Sequence, residues 1–366
     1  MARIAIDARE LSTSTGRYVE RLLYYLQKID KTNEYLILLK PTDYKKWQPE
    51  SDNFKKLECP FKEFTFAEQL GFKKFLKKLG PDLVHFPMTQ QPILYKGKVV
   101  TSILDLTITR YKYPSKNSAI FWIKQKVYTF VTKYVAHKSK HIITISNYVK
   151  KDVARFARIK KSKITTTYLA ADEISEPVEP IKSLQSKPFL LYVGRPQLHK
   201  NLSRLIETFA ILKKNHSDLL LVLAGRKDKV YDSYIDTAKK LGVDKDVIFT
   251  GYVSEGQLKW LYRGCKAYVF PSLSEGFGLP GLEAMVHRAP VVCSTATCLP
   301  EVYSDGAWYF NPLDIHDMVR SINEVLIKPE LRNKLIRAGR EQAKKYSWRR
   351  MAEQTLEVYE RAINNK

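Results

Sequence analysis

Short apolar runs alternate with longer stretches of helical periodicity along almost the whole chain, and this order leaves few folds open. Two parallel strands cannot be joined by a tight turn. Each pair needs a crossover, usually a helix, so a strand-helix-strand series predicts parallel sheets covered on both faces. The expected strands of the first half are Arg3–Asp7, Tyr35–Leu39, Asp82–Phe86, Val99–Leu104 and His141–Ile145. Those of the second half are Phe189–Val193, Leu219–Ala224, Val247–Thr250, Ala267–Phe270 and Val291–Cys293. A helix is expected from about Arg17 to Lys28, and Ser146 reads as the N-cap of another over Asn147–Ala157. Ser254 and Gln257 form a capping-box pattern for a helix ending near Gly264. The acidic, proline-containing stretch Asp172–Lys187 interrupts the series. The order therefore predicts a domain over residues 1–172, a linker over 173–187, a second domain over 188–345 and a last helix over 346–366. The expected class is α/β, with two Rossmann-like doubly wound domains facing across a cleft and ligands at the carboxyl ends of the strands.

Bulk properties agree with two domains, since 366 residues exceed one typical core. No run of 18 or more apolar residues occurs, which argues against a transmembrane span. The start, ARIAID, reads as a strand rather than a signal peptide, which makes a cytoplasmic protein the expectation. Cys59, Cys265, Cys293 and Cys298 lack zinc or redox spacing and are expected to be reduced packing residues. The formal charge of +24 is unevenly spread: fifteen Lys or Arg lie between Thr109 and Tyr168 against one acid, Asp152. Such a face would attract anionic lipid or nucleic acid. Within it, Ala119–Tyr134 mixes aromatics and lysines. Its stripe Ile120, Ile123, Val127, Val131 and Tyr134 is expected in the core, leaving Phe121, Trp122 and Tyr128 as membrane-facing candidates.

The chemistry concentrates in Pro271–Met285, PSLSEGFGLPGLEAM, where Glu275 and Glu283 bracket a glycine-rich turn. Pro280 suits the first helical position, so a helix is expected to start there. Its amides, with those of Gly276, Phe277, Gly278 and Leu279, would face an anion, while each carboxylate could accept hydrogen bonds from sugar hydroxyls. A ligand with hydroxyls at both ends and phosphate in the middle is a nucleotide-sugar. A second cluster follows the strand that ends at Gly194, where Arg195 and Lys200 flank a short loop; two cations there could neutralise a diphosphate, or be ordinary solvated side chains. The third piece is Ser12–Tyr18, whose Gly16 would let backbone approach a phosphate at a helix N-terminus.

These motifs together resemble the signature of the retaining glycosyltransferases of family 4, in which two glutamates are separated by seven residues. The resemblance covers nearly the whole chain, including Ser294–Val302 and Tyr346-Ser-Trp348. It implies the GT-B fold, a last helix that crosses back to the first domain, and transfer of a hexose from a nucleoside diphosphate sugar with retention. It also implies that Glu283 grips the ribose, Glu275 holds the donor sugar, Arg195 and Lys200 meet the diphosphate, and Val253 lies beside the base. Where the family often carries a histidine this chain has Leu104, so Asp105 and His85 are candidate support for the sugar site, His85 being read first as a structural histidine. The TGRY turn is reminiscent of mannosyl-transferring relatives, which puts GDP-mannose ahead of UDP-glucose. No metal or organic cofactor is expected. The expected partners are an acceptor glycan or lipid-linked sugar and an anionic membrane touched through Arg110–Lys163, at its inner face. A silent nucleotide-sugar binder, a nucleic-acid-binding protein and an epimerase are the rival readings.

Overall fold

The computed structural model describes residues 1–13, 16–111, 118–226 and 230–364, and the side chains of residues 118–121 lie outside the described set. The chain divides into two compact units, Met1–Thr109 with Asn117–Leu169 and Ser347–Lys366, and Arg110–Lys116 with Ala170–Tyr346. The chain thus passes to the second unit at Ala170, close to residue 172, whereas Arg110 and Tyr111 group with the second unit rather than with their sequence neighbours.

Unit 1 holds seven parallel strands, β1 (Arg3–Asp7), β2 (Glu34–Leu39), β3 (Phe54–Glu58), β4 (Leu83–Phe86), β5 (Val99–Ser102), β6 (His141–Thr144) and β7 (Ile164–Thr166), in the order β3-β2-β1-β4-β5-β6-β7. Its helices are α1 (Gly16–Ile29), α2 (Pro41–Tyr44), α3 (Lys73–Leu79), α4 (Thr107–Arg110), α5 (Ser118–Lys138) and α6 (Asn147–Ala157), with a π-helical turn, Glu68–Phe72, leading into α3. Ser146 caps α6 as expected, its hydroxyl accepting from the Val149 N–H at 3.2 Å. The edge strand β3 and the short β7 were not expected, because FKKLE and ITT are too polar or too brief to stand out. Right-handed crossovers put α1 on one face of the sheet and α3, α5 and α6 on the other. Phe72, Leu76 and Tyr95 pack there with Ala5, Val84 and Val99.

Unit 2 has six parallel strands, β8 (Phe189–Val193), β9 (Leu220–Ala224), β10 (Val247–Gly251), β11 (Ala267–Phe270), β12 (Val291–Ser294) and β13 (Ala307–Phe310), in the order β10-β9-β8-β11-β12-β13. They alternate with α7 (Leu202–Leu212), α8 (Tyr231–Lys240), α9 (Glu255–Gly264), α10 (Leu279–Val286), α11 (Leu299–Tyr303), α12 (Ile315–Ile327) and α13 (Pro329–Lys344). The capping box of Ser254 and Gln257 at α9 is formed in full. All four cysteines are free and buried, and burial raises their thiol pKa, that of Cys59 to about 12.

The last helix, α14 (Trp348–Asn364), belongs to unit 1 and packs on α1. Its Tyr359 hydroxyl lies 2.6 Å from His85 Nδ1, while His85 Nε2 lies 2.8 Å from the Ser102 hydroxyl, itself 2.9 Å from that of Tyr18. His85 is fully buried, and burial pushes its pKa down to about 3. Both ring nitrogens are engaged, so the idea of His85 as sugar-site support is corrected: it ties the C-terminal helix to the sheet.

Helix α5 overturns a second expectation. Of the stripe expected in the core, Ile123 and Val127 are more than half exposed, at 58% and 56%, and Tyr134 is exposed too. The reason is that the helix is apolar on two sides. Thr132, Val135 and Ala136 take the buried side, with the Tyr128 hydroxyl receiving a hydrogen bond from Thr89, so the other stripe faces water. Trp122 is exposed as expected, Tyr128 is not, and the side chains of Ile120 and Phe121 are outside the described set.

A neutral buried histidine makes stability depend on pH. His85 is depressed to about 3 and His141, also by burial, to about 4, whereas in the unfolded chain each takes a proton near about pH 6.5. Their contribution is complete above the unfolded value and is lost as pH falls from about 6.5, each at a slope of up to about 1.4 kcal/mol per pH unit. Urea unfolding between pH 8 and pH 4.5 should show this loss, and His85→Gln should make it shallower; an unchanged slope would refute the assignment to His85.

Candidate functional site

In unit 2 the strand order reverses between β8 and β11, because the chain steps outward from β8 in one direction and from β11 in the other. A sheet of this kind opens a crevice at that point. The loops leaving β8 and β11 border it, and they carry the two principal motifs.

A glycine with positive φ ends or directly follows each of three adjacent strands: Gly194 at 150°, Gly225 at 156° and Gly251 at 71°. The Gly194 N–H donates to Ala224 O at 2.9 Å and the Gly225 N–H to Gly251 O at 3.0 Å. A Cβ on Gly225 would stand 2.1 Å from Gly194 O, so the backbones meet more closely than any side chain permits. Beneath them a small pocket is lined by Tyr192, Pro196, Leu202, Tyr231 and Phe249. Val253 is half-buried and the preceding Tyr252 is 83% exposed.

After Gly194 the chain presents an exposed Arg195 and closes a short 3-10 turn, Leu198–Lys200. Asn201 then adopts a left-handed φ of 61°, and its amide donates to Pro271 O at 3.1 Å and Pro312 O at 2.8 Å. With Leu273 N–H donating to His199 O at 2.7 Å, these bonds stitch the β8 loop to the β11 loop. The consequence is a salt bridge between residues far apart in sequence: Lys200 Nζ lies 2.6 Å from Glu275 Oε1, their side chains 16% and 11% exposed. The Glu275 N–H donates to Thr297 Oγ1 at 3.0 Å, which fixes the backbone under that carboxylate.

Helix α10 starts at Leu279, one residue before the expected Pro280, with Gly278 as its N-cap at φ 86°. The Tyr303 hydroxyl donates to Gly278 O, and a Cβ on Gly278 or Gly281 would stand 2.4 Å or 2.2 Å from that hydroxyl. Much of the glycine content of GFGLPG therefore serves Tyr303. Farther along the same helix, Glu283 Oε2 accepts from the Tyr262 hydroxyl at 3.3 Å. Tyr262 stacks on His287, centroids 5.5 Å apart. The Ile174 N–H donates to His287 Nε2 at 3.0 Å, so Nδ1 carries the proton and donates to Glu283 O at 2.8 Å. Burial lowers the His287 pKa, which favours this neutral form. Tyr262 and His287 had no distinguishing sequence signal, since an aromatic near a helix end is ordinary.

Arg195, Lys200, Glu275, Glu283, Gly194, Val253 and the turn Gly276–Leu279 all belong to unit 2. Gly16, Asp105 and His85 belong to unit 1. A Cβ on Gly16 would lie 1.9 Å from Leu11 O, so the close approach it permits is to its own loop; Ser14 and Thr15 of that loop lie outside the described residues. Asp105 is half-buried and Oδ1 accepts from the Thr107 N–H at 2.8 Å. Among the described residues no group of three or more His, Cys, Asp or Glu is placed to hold a metal ion.

Residues 176–342 match the family described as "Glycosyl transferases group 1", a span lying wholly within unit 2. The O-antigen chain mannosyltransferase B of Escherichia coli is 31% identical over 233 residues, which cover 60% of this chain and 60% of that protein. This chain thus spans about three fifths of that relative. Sucrose-phosphate synthase from Thermosynechococcus elongatus is similar in structure, with a TM-score of 0.77 at 17% identity over 99% of each chain. HepE from Anabaena, solved with UDP and glucose, has a TM-score of 0.75 at 14% identity, over 98% of this chain and 100% of that one. The fold is that of GT-B proteins, with two Rossmann-like parallel-sheet units of seven and six strands.

The packing of Tyr303 against the turn is open to test. Gly278→Ala should cost about 1–3 kcal/mol in urea unfolding, from a side chain forced to positive φ and against the phenol. A cost below about 0.5 kcal/mol would mean that the turn and Tyr303 separate freely.

Proposed function

We propose that the protein is a retaining glycosyltransferase that moves a hexose from a nucleoside diphosphate sugar to an acceptor hydroxyl. The observation that carries this reading is the Lys200–Glu275 salt bridge at the switch point of unit 2, on the turn that leads into the helix bearing Glu283. A cation for the diphosphate and a carboxylate for the sugar are thereby held as one unit. Glu283, steadied by Tyr262, offers its carboxylate to the ribose hydroxyls, and the base lies beside Val253.

In the proposed reaction the bond from the anomeric carbon to the β-phosphate oxygen breaks and the acceptor oxygen bonds to that carbon on the same face. The departing phosphate oxygen takes the acceptor's proton. Arg195, Lys200 and the positive head of α10 stabilise the negative charge that grows on the diphosphate, so the cations of the protein do this work. Mannose from GDP-mannose is the first donor and glucose from UDP-glucose the second; the name of the Escherichia coli relative supports the former and the HepE complex the latter. The acceptor is a glycan or lipid-linked sugar in glycolipid or surface polysaccharide synthesis, at the cytoplasmic face of a membrane.

Release of nucleoside diphosphate from GDP-mannose, UDP-glucose, UDP-GlcNAc and UDP-galactose, with melting temperature read in parallel, tests the reading and selects the donor. Lys200→Ala should lower kcat/KM by about a hundredfold or more, and Glu283→Ala should chiefly raise the donor KM. Tyr262→Phe should raise the same KM by about two- to tenfold, because the carboxylate loses its orienting hydroxyl. Unchanged kinetics in both Lys200→Ala and Glu283→Ala would remove the site.

A further inference from the structure

The structure assigns to unit 1 a lipid-facing surface built from two separated segments, and we propose that it binds the headgroup region of an anionic bilayer. The first segment is the outward stripe of α5, where Ile123, Val127, Phe130 and Tyr134 recur at helical spacing, with Phe130 stacked on Tyr134 and Trp122 beside them. The second is the loop and π-helical turn before α3, where Phe64 is 78%, Phe66 87% and Leu70 53% exposed. Large aromatics are seldom left in water to this extent without a surface to meet.

Three hydrogen bonds tie the π-helical turn and the last turn of α5 to one loop. Gln69, in the π-helical turn, donates to Gln91 O at 3.2 Å and accepts from the Ile93 N–H at 3.0 Å. Lys138, at the end of α5, donates to Ile93 O at 2.9 Å. The loop around Ile93, whose Leu94 is itself 53% exposed, therefore lies between them, on the sheet face that α3 and α5 share. Phe64 is held outward at the cost of a left-handed φ of 60°, its N–H donating to Glu68 Oε2 at 2.9 Å.

Charge decides the occupant. Lys124, Lys126 and Lys133 are exposed on α5, and Lys126 Nζ sits 3.5 Å from the centre of the Trp122 ring. Lys62, Lys74, Lys77 and Lys78 are exposed around the aromatic loop. The acids of that loop are already committed, Glu63 to Lys40 at 2.7 Å and Glu68 to Arg9 at 2.9 Å, so neither is spent on these lysines. A second copy of the chain would set lysines against lysines, and protein interface cores are depleted in lysine. Apolar side chains between basic ones match the boundary of acyl chains and anionic headgroups.

The test is flotation of the full chain with vesicles of phosphatidylcholine alone or with about one third phosphatidylglycerol, at low and high salt. The wild type should float with the anionic vesicles. Phe66→Ser with Leu70→Ser, and separately Ile123→Ser with Val127→Ser and Phe130→Ser, should each lower the bound fraction about tenfold while leaving the melting temperature and donor turnover unchanged. Wild-type binding in either variant would overturn the proposal. It would equally fall if the wild type ignored both vesicles, whether it then proved to be a dimer dissociated by Val127→Ser or a monomer. Because lipid binding is read without any nucleotide-sugar, its failure leaves the transferase reading untouched.

Discussion

Parallel pairing is the constraint on which the rest of this protein depends. Every strand of a parallel ladder delivers its carboxyl end to the same edge of the sheet, and every return must cross a face as a helix or long connection. Unit 2 adds a reversal of strand order between β8 and β11, so the loops that follow those strands part to either side of one point. Residues 75 positions apart, Lys200 and Glu275, meet there at 2.6 Å. No local preference of either loop could accomplish that.

The pair is held by geometry more than by its own energy. A half-buried ion pair gains attraction and loses hydration in comparable measure. What fixes it is the framework beneath: Asn201 bridging Pro271 and Pro312, Thr297 holding the Glu275 backbone, and Tyr303 filling the space that Gly278 and Gly281 leave. Glycines that look as though they serve a ligand can thus serve a tyrosine first. The same holds for Gly16, whose missing side chain is used by Leu11 O.

Unit 1 divides its polar groups differently. Two groups of its buried polar residues close on one another, the Tyr18–Ser102–His85–Tyr359 chain and the Asp7–Arg9–Glu68 cluster, and so brace the sheet and its last helix. Its exposed lysines lie outside, beside apolar side chains that no described element covers.

The strand-helix series, the interruption near Asp172, the Ser146 and Ser254 caps and the glycine turn that leads into α10 were legible in the chain, because each is a local preference written in neighbouring residues. The strands β8 and β11 and helix α6 fell where their apolar periods put them. Edge strands β3 and β7 were not legible, since an edge needs little apolar character to pair. Which of the two apolar faces of α5 is buried, that His85 is bonded at both nitrogens, and that Tyr262 reaches Glu283 were decided only in the folded chain. The physical reason is common to all three. Periodicity and caps are energies of residues a turn apart, whereas a packing choice between two similar faces, or a bond across 21 residues, is set by what the rest of the sheet brings alongside.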